Sequence, residues 1–148
     1  MFVSESDGGS GVSFALFFQE NRLTLGDEMI AAIIDWDQAG ELYQGDGEEE
    51  TAFFQREIWN EFKKSLFEDL RTLPKVIDSG GDGWEKATHS IQGYSYSAGA
   101  SGLGNIFREA QQGDKGPAWL KERLPLLEQL AYETVAEIER VFPHLLEG

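Results

Sequence analysis

The sequence contains no cysteine, which excludes disulfides, thiol nucleophiles and every sulfur-ligated zinc or iron site. No apolar run approaches the roughly 20 residues that a bilayer-spanning helix needs. The opening residues, MFVSESDGGSG, lack the basic region and apolar core of a secretory signal, and there is no Asn-x-Ser/Thr acceptor. These absences lead us to expect a cytoplasmic protein with no membrane association. Bases are scarce as well: 12 Lys and Arg stand against 27 Asp and Glu, a formal net charge of −15. A chain so charged repels phosphate polymers and anionic lipid, and its field draws in basic proteins. A basic protein partner is expected, and direct nucleic-acid binding is not.

What is present is globular in character. The 148 residues, 41% hydrophobic and 12% aromatic with ten Phe and four Trp, can bury one core that offsets the entropy of ordering the chain. Residues 1–11, small and polar around SESDGGSG, are expected to be mobile, with residues 12–148 forming a single globular domain.

Two stretches carry a clear helical period. In GEEETAFFQREIWNEFKKSLFEDLRTLP, Phe54, Ile58, Phe62, Leu66 and Leu70 recur every fourth residue and Leu73 continues the row, which predicts an amphipathic helix over about 50–73 stopped by Pro74. Leu127, Ala131, Val135, Ile138 and Phe142 predict another over about 118–142, opened by Pro117, restarted or kinked at Pro125 and ended by Pro143. Asp27 reads as the cap of an earlier helix, with Met29, Ile33 and Trp36 on its apolar side and an end near Gly40. VSFALFF alternates in the manner of a strand or packs as a short buried helix, and RLTL could follow it as a second strand. Nine glycines fall in residues 79–116, where THSIQGYSYS suggests a strand and LGNIFREAQQ a short helix. The expected class is therefore α+β, mostly helical, with a small β element.

Three constellations could carry chemistry. With Asp35 as position one, Asp37 falls at three, Gly40 at six, Glu41 at seven, Leu42 at eight and Asp46 at twelve. This resembles part of an EF-hand calcium loop over these twelve residues, and would imply oxygen ligands for Ca²⁺. Ala39 supplies no oxygen at position five, and Asp46 stands where that family has a longer Glu. In DSGGDGWEKATH, Glu85 and His89 are spaced to share one helical side, with Asp78 and Asp82 upstream, an alternative divalent-cation pair for a metal-dependent hydrolase. His144 lies apart, after a helix stop. AGASGLGNIF is a glycine-rich turn feeding a helix, but its order matches neither the dinucleotide fingerprint nor a P-loop, and Leu103 breaks the nucleophile elbow around Ser101. The expectation is no catalytic residue, no metal and no cofactor.

The remaining feature is charge. Residues 26–50 hold nine acids and no Lys or Arg, whereas ordinary surfaces intersperse the signs. Within this band Asp35, Trp36, Asp37, Glu41, Tyr43, Asp46, Glu48, Glu49 and Glu50 combine carboxylates that steer a cationic surface with aromatics that supply desolvated contact. The pattern suits a small inhibitor of the immunity-protein or antitoxin kind, occluding a basic partner, possibly a nuclease, at the sites where that partner's Lys and Arg hold phosphate. Oligomeric state is left open by these features.

Overall fold

The computed structural model of the protein describes residues 33–112 and 115–146. The mobile segment expected at 1–11, the strands or short helix expected within 12–25 and the helix entry at Asp27 lie outside them. Among the described residues six helices follow in order: α1 (Trp36–Tyr43), α2 (Glu49–Asp78), α3 (Gly83–Ser97), α4 (Ser101–Ala110), α5 (Pro117–Glu122) and α6 (Leu124–Val141), with a 3₁₀ turn at Pro143–Leu146. No strand occurs among the described residues, and the expected α+β class is corrected to all-helical.

The stretch assigned to a strand, THSIQGYSYS, lies in α3. Its buried residues Trp84, Thr88, Ile91 and Ser95 are spaced four, three and four apart, a helical rather than a two-residue repeat. Tyr94 and Tyr96 consequently reach different neighbours. The Tyr94 hydroxyl donates to Asp69 of α2 at 2.8 Å, and that of Tyr96 donates to Asn105 of α4 at 2.6 Å. Burial raises the pKa of both phenols above the ordinary tyrosine value.

α2 begins as expected but does not stop at Pro74. It runs through the proline to Asp78, although an interior proline forfeits one amide hydrogen bond and costs about 3 kcal/mol in an isolated helix. Buried Leu73 and half-buried Val76 and Ile77 offset that cost by removing apolar surface from water. The stop comes later, at Gly80 and Gly81, whose φ angles of 77° and 71° lie in the left-handed region that favours glycine.

The helix end expected near Gly40 is not found there: among the described residues α1 starts at Trp36 and passes through Gly40 to Tyr43. The residues before it are pinned against the α3–α4 junction: Asp35 N–H donates to Gly99 O at 2.8 Å, and Gly102 N–H donates to Ile33 O at 2.8 Å. The helix can begin only beyond those contacts, where the Asp35 carboxylate caps it by accepting from Gln38 N–H. At the other end the helix expected over 118–142 divides at Arg123 into α5 and α6, with Pro125 in the first turn of the second.

The core is one continuous cluster drawn from all six helices and the 3₁₀ turn. Trp59, Leu66, Ile91, Ile106, Leu120, Leu127, Leu130 and Ile138 are fully buried at its centre. No described helix is long and apolar enough to cross a membrane.

Candidate functional site

The row of residues that α2 buries differs from the row its spacing predicts. Phe54 and Ile58 are 68% and 46% exposed, whereas Gln55, Arg56 and Trp59 are buried. The row Trp59, Phe62, Leu66, Leu70 and Leu73 is equally periodic, and a tryptophan at its head is the signal that selects it, since the largest side chain removes the most apolar surface.

Gln55 and Arg56 enter the interior because each is fully engaged. The Gln55 amide nitrogen donates to Leu42 O at 3.0 Å and Gln44 O at 3.1 Å. Its carbonyl oxygen is thereby left to accept from His144 Nε2–H at 3.0 Å. Arg56 donates to Glu49 Oε2 at 2.6 Å and reaches His144 O. Two residues of α2 thus fasten the α1–α2 connection to the C-terminal turn, in keeping with the rule that buried polar groups are paired.

The fastening leaves a concavity of about 630 Å³ between α1, the start of α2 and the C-terminal turn, lined by Trp36, Gly40, Glu48, Glu49, Phe142 and His144 among others. Trp36 is half-buried, with its ring centroid 6.4 Å from that of Phe142. On α1 the lining row Trp36, Gly40 and Gln44 is followed, about 100° round the helix, by Asp37 and Glu41, both exposed. Glu48 and Glu49 therefore share the concavity with Trp36 and Phe142, and Asp37 and Glu41 add charge on the neighbouring side of α1.

The predicted band residues separate into five groups. Asp37 and Glu41 are exposed on the side of α1 next to the lining row, whereas Glu48 and Trp36 line the concavity. Glu49 does too, but its charge is shared with Arg56, the ion pair that the described residues form in this band. Asp35 and Asp46 are occupied as caps: Asp46 accepts from Glu48 N–H at 2.9 Å and from the Thr51 hydroxyl at 3.1 Å, and the first of these holds its carboxyl below the usual aspartate range. Glu50 points away, on the outer side of α2. Tyr43 is fully buried, edge-on to Trp59 at 5.3 Å and tilted against Phe142 at 5.9 Å, so it offers a partner nothing. Its hydroxyl has no hydrogen-bond partner among the described residues, and burial raises its pKa well above that of an ordinary phenol.

The other constellations are not assembled. Asp35 is a helix cap and Asp37 stands on the helix it caps, so the EF-hand ligand order is not reproduced. Glu85 and His89 are exposed on α3, and Asp78 pairs with Lys121 at 2.6 Å. No group of three His, Asp or Glu side chains suited to a metal occurs among the described residues. The glycines of AGASGLGNIF serve packing instead of phosphate. A Cβ on Gly104 would sit 2.7 Å from the Tyr96 ring, and Gly102 lies equally close to Ile33. The Gly102 amide is already used by Ile33 O.

A second concavity of about 520 Å³ on the far half of α2 has a different character: Lys63, Lys64 and Arg71 alternate there with Glu68 and Glu128. Interspersed signs of that kind are absent from the first. Comparison of the chain with protein-family models, curated proteins and solved structures finds no match.

Proposed function

We propose that this protein binds a basic protein partner and occludes it, acting as a stoichiometric inhibitor of the immunity-protein or antitoxin kind. The observation that carries the reading is the concavity with Trp36, Phe142, Glu48 and Glu49 in its lining, next to the side of α1 on which Asp37 and Glu41 are exposed. Such a hollow suits a Lys or Arg side chain, whose aliphatic stem packs on aromatic rings while its charged head meets carboxylates. A partner whose cationic groups normally hold phosphate would lose them to this surface, which accounts for inhibition without any catalytic group.

The discriminating variant is the triple charge reversal D37K/E41K/E48K. Glu49 is left intact, because a lysine beside Arg56 would confound binding with stability. Affinity capture from the native source at low ionic strength should retain a basic protein with the wild-type chain, release it with rising salt, and lose it with the triple variant. Retention of the same protein by a folded triple variant would remove this surface from the proposal.

A further inference from the structure

The outward side of α2 opposite the core is neither polar nor simply acidic. At about 100° per residue, Glu50, Phe53, Phe54, Glu57, Ile58 and Glu61 fall within an arc of about 140° centred away from the buried row. Phe53, Phe54 and Ile58 are 56%, 68% and 46% exposed, and the three glutamates between and beside them are exposed as well. Single exposed apolar residues need no explanation, but three large ones grouped on two adjacent turns mark an interaction surface.

We infer that this side of α2 docks a cationic amphipathic helix, with an apolar stripe laid on Phe53, Phe54 and Ile58 and flanking Lys or Arg meeting Glu50, Glu57 and Glu61. The inference rests on the function proposed above and identifies the chemistry of the partner segment. Charge complementarity selects the occupant. A second copy of this chain would set the three glutamates against their own kind, and residues 1–32 hold five acids and a single base, so neither neutralises the face. A purely polar basic loop would satisfy the carboxylates and leave the phenylalanines wet. A helix with apolar residues at three- and four-residue spacing satisfies both, since its ridges pack on the i, i+4 row from Phe54 to Ile58.

The test uses the full chain and two synthetic peptides of roughly 18 residues with identical Leu and Lys content, one with the leucines on a single helical stripe and one scrambled. At low ionic strength the striped peptide should bind at least about tenfold more tightly than the scrambled one, and F54S/I58S should weaken the striped peptide about tenfold while leaving the scrambled one unchanged. Equal binding of the two peptides, unaffected by F54S/I58S, overturns the docking inference yet leaves the proposed acidic surface standing if D37K/E41K/E48K abolishes both. Failure of both peptides to bind overturns the docking inference alone, because the proposed acidic surface is decided by capture of the native partner. Two further measurements can overturn the inference directly. A marked fall in the urea midpoint of F54S/I58S would show that the chain itself covers this face, and a wild-type dimer that dissociates in F54S/I58S would show that a second copy does.

Discussion

Gln55 and His144, 89 residues apart in the chain, share a hydrogen bond of 3.0 Å that joins the first turns of the long helix to the C-terminal turn. The same Gln55 side chain holds the two carbonyls that end α1. The concavity exists because these three segments are held at that one residue.

Gln55→Leu should therefore leave Leu42 O, Gln44 O and His144 short of a partner, and lower stability by about 1–3 kcal/mol in urea denaturation. Capture of a basic partner should weaken with it, since the carboxylates of α1 and α2 lose their fixed separation.

Tyr43→Phe should behave in the opposite way. It deletes a buried hydroxyl that has no partner among the described residues and retains the ring packed on Trp59, so stability should be unchanged or higher by about 1 kcal/mol. Partner binding should not change, whereas Trp36→Ala should reduce it.

Two glycine substitutions should differ in sign. Gly93 lies inside α3 with open space where a Cβ would go, so Gly93→Ala should stabilise by about 0.5–1 kcal/mol through helix propensity alone. Gly104→Ala drives a methyl into the Tyr96 ring, which its bond to Asn105 holds in place, and should cost about 1–3 kcal/mol. Thermal melts of the two single variants decide the matter.

Glu109 predicts a dependence on pH. The residue is 3% exposed, and neither carboxylate oxygen is hydrogen-bonded among the described residues. Burial pushes it up to about 7 against the pull of Lys115 and Arg123. A carboxyl whose folded value is raised binds its proton more tightly in the native state. It contributes stability that is fully present below the unfolded value of 4.5 and is lost as pH rises through about 7. The difference in unfolding free energy between the wild type and Glu109→Gln should accordingly change by on the order of 1–3 kcal/mol between pH 4.5 and pH 7 and level off above. A pH-independent difference would refute the assignment.

The sequence by itself determined the helices of long period, the interruption at Pro125 and the short helix after Gly99, because each follows from local spacing or from a proline's missing amide hydrogen. It also determined the charge, since no base lies in residues 33–50 to cancel the carboxylates there. Which side of α2 faces inward was decided only by tertiary structure: two periodic rows compete, and the row with Trp59 wins because its neighbours Gln55 and Arg56 find partners on the C-terminal turn. Tertiary contacts also turned Tyr43 inward, carried α2 past Pro74 and made a helix of the tyrosine-rich stretch, where long-range burial outweighed local preference. The carboxylates were legible one by one, whereas the hollow between them depends on residues more than 90 positions apart, Glu48 and Phe142, whose meeting no local pattern encodes.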